Sequence, residues 1–164
     1  VRGSLHDEKP TGMTPHVRPS VKSDCRAVAS RLRDADRAEC ELWGLDPEAS
    51  MSVGFQFSIQ PMTLIGPSGK PAAMFGVTTG GSDATIWLLG TDEITRFPVT
   101  FLRQSKAWIE HLVVPVRNSG FRGIGNWVDM RNTKHVNWLL WVGFTLTSTN
   151  HQNGNEIGYF RKAL

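Results

Sequence analysis

The sequence predicts one α/β domain built on a mixed, mostly antiparallel sheet that contains a single parallel strand pair. Three observations carry this. A length of 164 residues, 40% hydrophobic and 20% charged, suits one domain with a core of its own. Between residues 61 and 90 apolar residues come in three short strand-like runs separated by Gly-containing turns, the pattern of an antiparallel meander. After them a long run with helical spacing leads into another strand, and a strand–helix–strand crossover joins parallel neighbours.

Element by element, residues 1–12 are polar, aperiodic and carry Gly and Pro, so they read as a flexible arm, and the folded domain is expected over 13–164. His16 to Val21 reads as an edge strand, since Pro19 cannot donate to a ladder. Asp24 is the expected cap of a helix through Val28 and Leu32. A second helix holds Ala38, Leu42 and Trp43 and stops at Gly44. Pro47 suits the first turn of a third, with Met51, Val53, Phe55 and Phe57, although Val53 to Ile59 also alternates like a strand. The meander follows as Met62–Ile65, Ala72–Thr78 and Ala84–Leu89, with turns at Gly66–Gly69 and Gly80–Asp83. Pro98 opens the long helix, whose apolar face is Phe101, Leu102, Trp108, Ile109 and Leu112. Gly120 to Gly125 reads as a flexible loop, Asn126–Arg131 as a strand, and Asn132 as the cap of a helix that ends at Gly143. Phe144 returns to the core before a terminal hairpin, Thr145–Thr149 with Ile157–Arg161.

Charge and composition exclude several classes. The net charge is +3 with a pI near 9.1, yet no Lys/Arg run tracks a phosphate backbone, so nucleic-acid binding is unsupported. Arg26, Arg31, Arg33 and Arg37 share a segment with Asp24, Asp34, Asp36, Glu39 and Glu41, and read as a solvated helix face of mixed pairs. No apolar run approaches the roughly 20 residues that cross a bilayer, and no secretion signal is visible, so a soluble protein of intracellular origin is expected. Cys25 and Cys40 read as buried or half-buried thiols. The five histidines are scattered without metal-ligand spacing, so no metal site is expected.

The order of elements resembles the N-acetyltransferase (GNAT) superfamily. Three features sharpen the match: His16-Val17-Arg18-Pro19 followed by Asp24, like the family's opening strand and capped helix; Asn132, His135, Leu139, Gly143 and Phe144, like its last helix; and the closing hairpin. More narrowly, Asn132-Thr133-Lys134-His135 running into Val142-Gly143-Phe144 is similar to GNAT-like internal virion proteins of short-tailed bacteriophages. The fold resemblance implies helices on both faces of the sheet. The narrower one implies a structural or ejection-associated role in a particle, assembled in the host cytoplasm, with other virion proteins as partners.

Family members hold the pyrophosphate of acetyl-CoA on a loop of the form Arg/Gln, two residues, Gly, one residue, Gly/Ala. Here Arg96 stands at the first position, Val99 and Phe101 replace the glycines, and Pro98 removes a donor. Asp92 and Glu93 are expected to add negative charge where the diphosphate would sit. Many members also protonate the departing thiolate with a Tyr on the last helix, where this chain has Leu139. Tyr159, the one tyrosine, lies in the terminal strand. These departures predict a non-catalytic protein that binds neither acetyl-CoA nor another cofactor. The rival reading is an acetyl-CoA-dependent N-acetyltransferase with a degenerate loop.

Individual candidates carry ordinary readings as well. His135 could serve as a base, but a helix-start histidine more commonly bonds neighbouring backbone. Asp129 with Arg131 suggests a catalytic carboxylate, or more simply an ion pair. Trp138 and Trp141 share a side of their helix and are expected either to be buried or to anchor a partner protein.

Overall fold

The computed structural model describes residues 12–164, so the predicted arm lies, apart from Gly12, outside the described residues. The chain runs β1 (His16–Pro19), α1 (Lys22–Ala29), α2 (Asp34–Leu42), α3 (Pro47–Phe57), β2 (Ser58–Ile65), β3 (Pro71–Thr78) and β4 (Ala84–Gly90). A short 3-10 turn, Asp92–Arg96, leads to α4 (Pro98–Asn118), β5 (Gly123–Asp129), α5 (Thr133–Trp141), β6 (Thr145–Gln152) and β7 (Asn155–Ala163). The seven strands form one sheet in the order β1-β2-β3-β4-β5-β7-β6. All neighbours are antiparallel except β4 and β5, as the crossover through α4 requires.

Alternation along β4 sorts the two faces of the sheet. Ala84, Ile86 and Leu88 turn to the main core with α4 and α5, where Ile109, Leu112, Val113, Val116 and Leu139 are almost wholly buried. Trp87 and Leu89 turn to a smaller core with Cys25, Val28, Met51 and Met74 from α1, α3 and β3. Helices therefore cover both faces.

Several local expectations change. Val21, not Asp24, precedes α1; Asp24 sits one turn in and accepts the Val21 N–H at 2.9 Å, a pair of Arg18 contacts at 2.7 and 2.9 Å, and the Thr63 hydroxyl at 2.8 Å. α1 ends at Ala29, so Leu32 lies beyond it. Val53, Phe55 and Phe57 do lie in the helix expected from Pro47, and of the alternating pattern only the part from Ser58 onward is strand, with a register shift near Gln60, whose φ is +50°. The Gly120–Gly125 segment is not all loop, because β5 starts at Gly123. A Cβ on Gly125 would stand 2.6 Å from the Phe160 carbonyl oxygen and from the Tyr159 hydroxyl, so the closeness of β7 demands glycine there. The mixed charges of the first helices are not uniformly solvated either: Asp24, Arg33, Asp36 and Glu39 are buried.

Candidate active site at the parting of two strands

β4 and β5 pair only at Ala84–Ile124 and Thr85–Gly125, then part toward their C-terminal ends. The parting leaves backbone donors that a continuous sheet would satisfy, and α2 meets them with carboxylates. Asp36 accepts the Gly90 N–H at 2.9 Å and Glu39 the Asp129 N–H at 3.1 Å. Spaced i, i+3, the two acids share one side of α2. Asn132 joins them, its Nδ2 donating to Asp36 Oδ1 and to Glu39 Oε2, both at 3.1 Å. Arg33 completes the group with contacts of 2.8 to 3.0 Å to both oxygens of Asp36, which is wholly buried. The Asn132 Oδ1 caps α5 by accepting the His135 N–H at 3.3 Å, as the sequence leads one to expect.

The His135 ring does not bond neighbouring backbone. Its Nδ1 lies 3.4 Å from Glu39 Oε2, and a carboxylate there places the proton on Nδ1. The lone pair then resides on Nε2, which has no protein partner among the described residues and is not sealed from solvent. Two cavities explain what it faces. One, of about 480 Å³, lies on the α4–α5 side and the other, of about 320 Å³, on the α2–α3 side. Leu88 and His135 line both, so the histidine stands in the wall between a cavity on each face of the sheet.

Pro98, Phe101, Leu102, Trp138 and Trp141 wall the first cavity, with Lys134 at its edge. Phe101 packs against Trp108 and Trp138 at 5.6 and 6.1 Å between ring centroids. Trp138 is buried, and its Nε1 is the buried side-chain polar atom left without a partner among the described residues. Trp141 is half-exposed and already engaged, donating to the Leu102 carbonyl at 3.1 Å beneath Lys106 Nζ, 4.4 Å from its ring centre. Both tryptophans thus belong to the cavity wall.

The four positions read from the sequence as a degenerate loop have distinct roles. Pro98 is the first residue of α4, Phe101 is buried in the wall, and Arg96 and Val99 are exposed. Among the described residues no side chain caps α4, and the Val99 and Thr100 N–H groups have no partner there. Of the two acids expected to repel a diphosphate, Asp92 is exposed, whereas Glu93 is turned away. That carboxylate is buried on the other side, accepting the Ser68 N–H and hydroxyl, both at 2.8 Å, with Arg31 at 3.9 Å.

The remaining candidates fall elsewhere. Leu139 is buried in the core. Tyr159 donates to Asp83 at 3.1 Å near the start of β4, and burial together with Asp83 raises its pKa. Asp129 and Arg131 form an ion pair at 2.6 Å; the Arg131 hydrogen bond, against the effect of burial, holds the carboxyl below its ordinary range. The sequence reading missed Arg33, Asp36 and Glu39. Their signal was phase: Asp36, Glu39 and Cys40 stand at i, i+3 and i+4, which places the acids on the side of the helix that carries a buried Cys40.

No protein-family model and no curated protein matches the sequence. Solved structures do match. A phosphinothricin acetyltransferase of the GNAT superfamily from Sinorhizobium meliloti, in complex with acetyl-CoA, superposes with a TM-score of 0.66 at 14% identity, over 93% of this chain and 89% of its own. A GNAT-family acetyltransferase from Bacillus anthracis gives 0.64 at 10%, over 93% and 96%. An aminoglycoside acetyltransferase in complex with coenzyme A gives 0.63 at 15%, over 92% and 95%. The fold is therefore the GNAT fold. The expected non-catalytic virion role is corrected by the same finding: these neighbours are acetyltransferases, and nothing links the chain to internal virion proteins.

Proposed function

We propose that the protein is an acetyl-CoA-dependent N-acetyltransferase acting on an amine, with His135 as the proton acceptor and Glu39 as the residue that positions it. The observation that carries this is the place of His135, fixed through Nδ1 in the wall shared by cavities on opposite faces of the sheet. A transferase needs such a meeting point, because the acyl donor and the acceptor must enter separately and touch at one atom.

The α4-side cavity fits the acyl end and the amide-bearing arm of acetyl-CoA. Its walls are apolar, built from Pro98, Phe101, Leu102, Trp138 and Trp141. For the diphosphate the chain offers no glycine cradle, but the free N–H groups of Val99 and Thr100 and the Lys134 ammonium. When bound, acetyl-CoA supplies a thioester carbonyl to the amine. His135 Nε2 takes a proton from the amine arriving through the α2–α3 cavity, and the Glu39 carboxylate stabilises the imidazolium that results. That imidazolium is then the chain's own acid, a role Leu139 cannot fill.

Calorimetric titration with acetyl-CoA, followed in parallel by thermal unfolding, tests the reading. At a hundredfold excess over Kd the ligand should stabilise the native state by about 2.7 kcal/mol. His135→Gln should keep that binding while lowering kcat by roughly 10²- to 10⁴-fold. Absence of both heat and thermal shift would overturn the assignment.

A further inference from the structure

We infer that the acceptor is a primary amine carried on an aromatic body, an arylalkylamine, held in the α2–α3 cavity by Trp43, Trp87 and Trp127. This rests on the acetyltransferase reading of the same site and names its substrate class. Three of the chain's six tryptophans line a cavity of about 320 Å³, a concentration that ordinary core packing does not call for.

Two of the rings are set before any ligand arrives. Trp87 donates its Nε1–H to Ser58 Oγ at 2.7 Å and lies close under α3, where a Cβ on Gly54 would come within 2.8 Å of the indole. Trp127 packs on Tyr159 at 5.3 Å between ring centres. Rings held in this way lose little freedom on binding. Trp43 is 37% exposed and stands at the rim with Leu45 and Val53, both more than half exposed. The rim is therefore apolar and open.

Charge narrows the class further. Among the described residues no Lys or Arg lines this cavity, so an acceptor bearing a carboxylate, phosphinate or phosphate meets no counter-charge from them. Glu39 is the one carboxylate, and its oxygens already serve the Asp129 N–H, Asn132 and His135. A polyhydroxylated polycation would need several more. A single ammonium on an aromatic body is what indole faces and an apolar rim accommodate, by cation–π attraction and by stacking. In the transfer the amine nitrogen gains a bond to the acetyl carbon and the carbon–sulfur bond breaks. The ammonium first gives up one proton to solvent; a second goes from the attacking nitrogen to His135 Nε2 and from there to the departing thiolate, so N-acetylamine, free thiol and one released proton are the products.

The experiment has two arms. In the first, the protein alone is titrated with 2-phenylethylamine and its tryptophan fluorescence followed; Trp43→Ala should weaken binding about three- to tenfold. Trp127→Phe, which keeps an aromatic ring, should weaken it less. In the second, acetyl-CoA consumption is compared for 2-phenylethylamine, glutamate, an aminoglycoside and a short peptide with an N-terminal alanine. The arylalkylamine should have the highest kcat/KM, and Trp43→Ala should raise its KM with kcat unchanged. Faster turnover of glutamate, aminoglycoside or peptide would overturn the inference while leaving the acetyltransferase reading in place. Quenching by 2-phenylethylamine that Trp43→Ala weakens, with no binding of acetyl-CoA, would support the aromatic-amine site and overturn the transferase reading. Fluorescence indifferent to 2-phenylethylamine would overturn the inference.

Discussion

Asp36→Asn is the substitution that asks most of the buried network. The change is nearly isosteric, yet it replaces one carboxylate oxygen by an NH₂ group. Oδ1 receives Arg33 Nη2 at 2.8 Å and Asn132 Nδ2 at 3.1 Å, while Oδ2 receives both Arg33 nitrogens and the Gly90 N–H. Whichever way the new amide turns, donor meets donor. Arg33, only 7% exposed, is left without its counter-charge. Breaking one side of a buried ion pair costs about 3–5 kcal/mol. A natural domain has roughly 5–15 kcal/mol in all, so the loss is a large share of the stability. At about 2–4 °C per kcal/mol for a domain of this size, Tm should fall by about 6–20 °C. Urea unfolding followed by tryptophan fluorescence measures the change directly. The double variant Arg33→Met/Asp36→Leu should recover only part of it, because the buried charges go together but the Gly90 N–H and Asn132 Nδ2 lose their acceptor. A loss below about 1 kcal/mol for Asp36→Asn would refute the view that α2 holds the parted strands through this carboxylate.

Other consequences follow from single contacts. Gly125→Ala drives a Cβ to 2.6 Å from the Phe160 carbonyl oxygen, a backbone atom that cannot step aside, so a loss of about 3 kcal/mol is expected in the same urea assay. Asp83 is held below its ordinary pKa of 3.8 by hydrogen bonding from Arg161, against burial and with help from Tyr159. A carboxylate lowered on folding contributes stability that is complete above its unfolded value and is lost as pH falls through the folded one. The acid limb of a stability–pH curve below about pH 4 should therefore be shallower in Arg161→Met than in the parent. Burial raises the thiol pKa of both Cys25 and Cys40, so a thiol reagent at neutral pH should titrate neither until denaturant is added; rapid native reaction would contradict their place in the core.

The fold was legible because its signals are local and agree with one another. Pro98 at a helix start, Asn132 as a cap and Gly143 past a helix end at φ +94° each do what their chemistry favours. The site was less legible because its polar groups come from segments far apart in sequence. Glu39 meets Asp129, Asn132 and His135 across 90 to 96 residues, and no spacing rule reaches that far. The acids of α2 read as solvated because a helix rich in both charges usually is. Their phase with Cys40 was visible, but its meaning appears only once β4 and β5 part and leave donors to be met.

The same geometry changes the weight of the departures from the family pattern. The missing glycines and the missing tyrosine count against catalysis only if the vacated positions stand empty of compensation. Phe101 and Pro98 are the wall of an apolar cavity, and Glu93 is drawn off to Ser68 and Arg31 rather than facing the start of α4. Leu139 fills the core directly one turn beyond His135, and residues four apart lie on one helix face. A titratable group therefore remains on the face where a tyrosine would stand, displaced by one turn toward the helix start. There Asn132 fixes the backbone and Glu39 fixes the ring, which is the setting that the proton acceptor proposed above requires.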